Sequence, residues 1–159
     1  MSGHEHEAEP GVTAKEGKMP DETAETILKT WMSRVWGQLD VNAIDELLAP
    51  NAVAHGLGPE PLKGTADWRK FHAGFTAAFQ NINISVEDQI VSGEKVAARI
   101  AGSCVHKATG KPVTFTGMII ARVSGGQLQE GWNSVDFLPM LTELGIVPQD
   151  ALVRAFGAA

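Results

Sequence analysis

At Phe79 the spacing of apolar residues changes from one period to another. Before it, apolar side chains recur every three to four residues; after it they alternate with polar ones. These periods belong to one face of a helix and one face of a strand. A chain divided in this way folds as helices followed by an antiparallel sheet, the α+β class.

In the first half, Ile27, Trp31 and Val35, with Leu28, Met32 and Trp36 beside them, mark a helix that stops near Gly37. Asp40 is placed to cap a second, short helix carrying Ile44, Leu47 and Leu48, which Pro50 ends. An extended piece over residues 52–55 runs into Gly56-Leu57-Gly58-Pro59. Thr65 is placed to cap a third helix, where Trp68, Phe71, Phe75 and Phe79 form one stripe with His72 inside it.

Four strand patterns follow. Ile82, Ile84, Val86 and Ile90 alternate in the first, and Ser92-Gly93-Glu94 turns it into a second over residues 96–106. Thr109-Gly110 turns the chain into a third, with Val113, Phe115, Gly117, Ile119 and Ala121 on one face. Ser124-Gly125-Gly126 leads into a fourth over residues 127–135. An apolar stretch over 137–144 and a short helix over 150–156 close the chain. Helices cover only one face of such a sheet, so a cavity and a homodimer are both expected outcomes.

Composition narrows the class. The chain has 159 residues, a net charge of −6 and 43% hydrophobic residues, which fits one domain with a real core. Residues 1–20, rich in Gly and short of large apolar side chains, read as a disordered tail before a single domain over 21–159. His4 and His6, interleaved with glutamates in that tail, read as solubilising rather than as a metal site. No apolar run reaches the length of a membrane span, and the first residues lack a signal-peptide pattern. A cytoplasmic location with no membrane partner is the expectation. Scattered Lys and Arg on an acidic chain exclude a nucleic-acid surface. The lone Cys104 excludes an internal disulfide and reads as a buried thiol.

The chain has no GxGxxG, phosphate loop, HExxH, GxSxG or EF-hand pattern, so the chemistries those motifs carry are unsupported. What remains is a dispersed set of polar residues: His55, His72, His106, Arg99, Glu130, Asn133 and Asp136. His72, on an apolar stripe, reads either as hydrogen-bonded core or as a pocket acid/base. His106 reads as a solvated turn residue. Arg99 and Glu130 are expected to form a cross-strand ion pair. Asp136 is placed to cap the helix after it rather than to act on a substrate.

The order of these pieces resembles the SnoaL-like polyketide cyclases of the NTF2-like superfamily, over about residues 22–145. The resemblance is carried by Val53 to Gly56, the VEDQIVSGEKVAAR stretch from Val86, Thr109-Gly110-Lys111, Gly126, Trp132-Asn133-x-x-Asp136, and Leu141 to Gly145. It implies a cone, with a curved sheet wrapped around helices, a mostly apolar pocket and a dimer. It also implies intramolecular aldol chemistry by an aspartate acid/base, with no cofactor and no metal. By this resemblance, Asn133 stands where the cyclases carry that aspartate, and residues 118–120 stand where they carry a histidine. An amide does not exchange a proton near neutral pH.

The expectation is therefore a cofactor-independent acid/base enzyme for a small hydrophobic carbonyl compound, acting by cyclisation, isomerisation or hydration. His55 would transfer the proton and Asn133 polarise an oxygen, with Asp136 as a further catalytic candidate. Trp31, Val35, Trp68, His72, Phe75, Phe79, Phe115 and Ile119 are the expected substrate-binding wall. The alternative is a noncatalytic module that holds a ligand or partner in the same cone.

Overall fold

The structure is a computed structural model that describes residues 22–157; the expected tail, with His4 and His6, lies outside them. Ile27, Leu28 and Trp31 are buried on α1 (Ile27–Trp31), which continues unbroken as a π-helical segment, Met32–Gly37. The wider turn is closed by the Gln38 N–H donating to the Ser33 carbonyl at 2.9 Å. Asp40 caps as its position predicts: its Oδ1 accepts from the Asn42 and Ala43 amides at 3.1 and 3.3 Å. The helix it caps, α2 (Asn42–Leu47), stops three residues before Pro50.

Strand β1 (Leu48–His55) begins on the next residue, so Leu48 and Pro50 belong to a strand and not to the helix. Proline is tolerated there because the ladder to β6 jumps from Leu48 opposite Leu128 to Val53 opposite Glu130. No ladder bond in that gap needs its missing N–H. A two-residue strand, β2 (Leu62–Lys63), pairs with Val53 and Ala54. The third helix, α3 (Gly64–Ala78), is not capped by Thr65. The Asp67 carboxylate instead accepts the Lys63 amide at 2.8 Å. Phe79 leaves the helix and opens the sheet.

Among the described residues the sheet has six strands rather than four. β3 (Phe79–Ser92), β4 (Lys95–His106), β5 (Pro112–Ser124) and β6 (Gln127–Asp136) form the expected meander, and β1 joins β6 in parallel to give the order β2-β1-β6-β5-β4-β3. Gly125 and Gly126, both at positive φ, make the two-residue hairpin loop that glycine favours. Val96, Ala98 and Ile100 of β4 and Phe115, Ile119 and Ala121 of β5 are buried on the face that the helices cover. On the other face Met118, Ile120 and Trp132 are exposed, with Ile120 directly opposite Trp132. Ile90 departs from the predicted alternation. A register shift between Val86 and Asp88 reverses the parity of the strand beyond it, so Ile90 is 73% exposed. After the sheet come α4 (Leu138–Glu143) and α5 (Ala151–Ala155), near the expected places.

Ion pairs tie the helical layer together. Arg34 donates to Asp40 at 2.7 Å and to Glu46 at 2.6 Å, and Arg69 pairs with Asp45. The Arg34 guanidinium holds the Asp40 carboxyl below its ordinary range, and Arg69 does the same for Asp45. A lowered carboxyl pKa in the fold means stability that is present above the ordinary value, about 3.9, and lost as pH falls through the folded value. Asp40→Asn is therefore expected to lower the urea midpoint at pH 7, and the difference from wild type should close as pH falls below the ordinary carboxyl value and through the lower folded one. A constant difference across that range would mean that the charge of Asp40 does not contribute. Cys104 is buried, and burial pushes its thiol up. Among the described residues, no helix is long and apolar enough to cross a membrane.

Candidate ligand cavity

Where the sheet curves over the helices, large rings meet without filling the space. A cavity of about 90 Å³ opens there, against roughly 10–15 Å³ needed for one water on the same measure. Its wall is set by aromatic edges. Trp31 meets Trp68 at 5.0 Å between ring centres and 75° between planes, and Trp36 meets Phe75 at 5.3 Å and 77°. Such edge-to-face contacts fix the ring planes. Phe115 and Ile119 close the sheet side, and Leu57 and Phe137 come from the segments that follow β1 and β6.

Asn133 gives this wall an amide. Its Nδ2 donates to the His55 carbonyl at 2.9 Å, which pins the side chain across the β1–β6 junction. Gly56 makes that junction possible. At φ +86° the backbone lies directly against the Asn133 carbonyl, leaving no room for a β-carbon.

The other expected site residues separate from the cavity. The His55 imidazole is not in the wall. Its Nε2 lies 2.9 Å from Glu130 Oε2, and its ring stacks on Trp132 with 15° between planes. Glu130 borders the cavity, but its carboxylate shares the outer face with Arg122, its cross-strand partner, at 3.7 Å. The expected Arg99–Glu130 pair does not form, because β5 lies between β4 and β6; Arg99 stands opposite Met118. His72 is 3% exposed and its Nε2 bonds to the Val35 carbonyl at 2.8 Å, so it belongs to the core. His106 bonds to Thr109 in an exposed turn. Asp136 is exposed and accepts the Leu138 amide at 3.1 Å, holding the start of α4.

Of the expected wall, Trp31, Trp68, Phe75, Phe115 and Ile119 line the cavity, while Val35, His72 and Phe79 do not. Val35 is fully buried within the π-helical segment, and Phe79 packs on Phe75 and His106. Trp36 and Phe71 also line the cavity without having been expected there, although both lie on visible helical stripes. Nor was Glu130 expected as the partner of His55. That contact arises from the parallel β1–β6 pairing, which joins residues 75 positions apart and has no local signature.

The cavity can thus desolvate an apolar body and hydrogen-bond one of its oxygens. Among the described residues, Glu130 is the one Asp, Glu or His at its border. No three such side chains, with or without cysteine, come together as a metal-binding group among those residues.

Solved structures share this fold. IdmH from Streptomyces antibioticus is 25% identical, with a TM-score of 0.68 over 77% of this chain and 98% of that one. AclR from Streptomyces galilaeus is 23% identical, with a TM-score of 0.69 over 79% and 97%. A SnoaL-like polyketide cyclase from Agrobacterium tumefaciens is 17% identical, with a TM-score of 0.65 over 78% and 99%. No curated protein matches the chain significantly. The SnoaL-like polyketide cyclase family matches residues 26–144, from the helix that begins the core to the end of α4, and the chain belongs to that family.

Proposed function

We propose that the protein holds a small, largely hydrophobic carbonyl compound in this cavity, with the Asn133 amide donating to its oxygen. The observation that carries the reading is the make-up of the wall, rings and aliphatic side chains around one pinned amide. Such a wall desolvates an apolar body and orients it through few polar contacts. Membership of a family named for polyketide cyclisation supports a ligand of this class. The proposal extends to a second copy of the chain on the outer sheet face, where Met118, Ile120 and Trp132 stand exposed.

A second reading adds turnover by cofactor-independent acid/base chemistry, through cyclisation, isomerisation or hydration. Family membership favours it, and so does the 2.9 Å His55–Glu130 contact beside the cavity. A carboxylate held there is the group nearest to the role of a base.

One experiment separates the two. Acetophenone, a small hydrophobic ketone, is titrated into the protein in deuterated buffer. Tryptophan fluorescence reports binding, and proton NMR of the methyl group reports exchange next to the carbonyl. Saturable quenching is expected, with exchange at the buffer rate, and Asn133→Ala should weaken binding by about 2–10-fold. Exchange accelerated by the protein and lost in Glu130→Gln would establish turnover instead. Absence of saturable binding would remove both readings.

A further inference from the structure

We infer that Gly131 fixes the shape of the carbonyl end of the occupant. The space left by its missing side chain, beside the Asn133 amide, takes one carbon substituent, so the cavity is built for ketones rather than aldehydes. The inference rests on the ligand-binding reading above and deepens it. Gly131 lies on β6, in the cavity wall. Its strand partners are Ala54 on β1 and Ala121 on β5, both buried and both in the same wall. Residues opposite each other in a sheet share a face, so the side chain that Gly131 lacks would point into the cavity.

Local packing does not account for this glycine. It is not at positive φ, and glycine inside a paired strand weakens it unless something must approach closely. Two buried glycines of the sheet have such a reason: a β-carbon at Gly102 would overlap the Phe115 ring, and one at Gly117 would crowd Val135 at 3.2 Å. A β-carbon at Gly131 would meet only Asn133 Nδ2 at 3.8 Å and the Ile120 carbonyl oxygen at 4.0 Å, its chain neighbours aside. The room there belongs to the cavity. An amide has two N–H donors; Asn133 uses one on the His55 carbonyl, which leaves the other for a ligand oxygen. When a carbonyl accepts at the usual length, the substituent on its near side lies about 3.7 Å from the donor nitrogen. A β-carbon at 131 would stand in that same shell, so protein and ligand compete for one place, and glycine leaves it to the ligand. The hydrogen of an aldehyde would leave it empty, whereas the alkyl carbon of a ketone fills it.

The test compares acetophenone with its isomer 4-methylbenzaldehyde, which carries the same methyl group on the far side of the ring. Binding of each is followed by tryptophan fluorescence in wild type and in Gly131→Ala, with the urea midpoint, expected unchanged, as the check on folding. Alanine should weaken acetophenone by about 5–20-fold through overlap with its methyl group. It should leave the aldehyde within about twofold. Undiminished ketone binding in Gly131→Ala would overturn this inference, and so would an equal loss for both compounds; either result leaves the cavity reading intact. In wild type, nuclear Overhauser contacts should run from the acetophenone methyl group to the Gly131 α-protons. Contacts from the ring protons in their place would also overturn it, whether or not the variant folds. If neither compound binds, the cavity reading falls and this inference with it.

Discussion

Gly56→Ala is expected to destabilise the protein by about 2–5 kcal/mol in urea unfolding, from two additive causes. Gly56 sits at φ +86°, where a β-carbon costs about 1–2 kcal/mol for an L-residue. Its β-carbon would also fall inside the shell of the Asn133 carbonyl oxygen. That neighbour is backbone within a paired strand and cannot rotate away, so the overlap adds about 1–3 kcal/mol as in other overpacked sites. Relief requires β1 and β6 to part, which moves the His55 carbonyl away from the Asn133 amide that it anchors. Ketone binding should therefore weaken together with stability. Gly58→Ala is the control, since nothing lies within 4 Å of a β-carbon there; it should change stability by no more than about 0.5 kcal/mol. A loss below about 1 kcal/mol in Gly56→Ala would show that the junction yields freely, contrary to this account.

His72→Ala should cost about 3–5 kcal/mol without altering ketone affinity in the folded protein. The imidazole is buried between α3 and the π-helical segment, against Trp36 at 4.8 Å between ring centres. Its Nε2–H donates to the Val35 carbonyl, near a helix end where carbonyls lack helical partners. Alanine removes the packing and leaves that carbonyl unpaired in the core. His72→Leu keeps the volume and should lose only the hydrogen-bond part, about 1–3 kcal/mol. His72→Gln, whose amide can donate, should recover some of it. Because His72 lies outside the cavity wall, ligand affinity separates this structural role from an acid/base one. A variant that folds with full stability but no longer binds ketone would reverse the assignment.

The two periods of hydrophobicity were legible because each element buries one face. The stripe of Trp68, Phe71 and Phe75 and the alternation of Val113, Phe115, Ile119 and Ala121 each report a local geometry. The glycine turns were legible for the same reason, since the Gly125-Gly126 loop needs positive φ at both residues. Bulges were not. The register shift after Val86 carries no composition signal, yet it turns Ile90 outward and Gln89 inward, where the Gln89 amide bonds to the Glu25 carbonyl at 2.7 Å.

The site divides along the same line. That Trp31, Trp68, Phe75, Phe115 and Ile119 face inward follows from spacing. That His55 turns away while its carbonyl holds Asn133 does not, because it depends on β1 lying parallel to β6 at one register. Strand neighbours distant in sequence are chosen by the burial of the whole sheet, not by the residues that end up opposite each other. The α+β class, the inward stripes and the absence of the motifs that carry familiar chemistries were readable from residue order alone. Packing set the rest: His72 belongs to the core, His55 and Glu130 pair on the outer side of the sheet, and the Asn133 amide is pinned at the cavity wall. Periodicity reports which side chains leave water, whereas hydrogen-bond partners are fixed by distances between elements, and those exist only once the elements have packed.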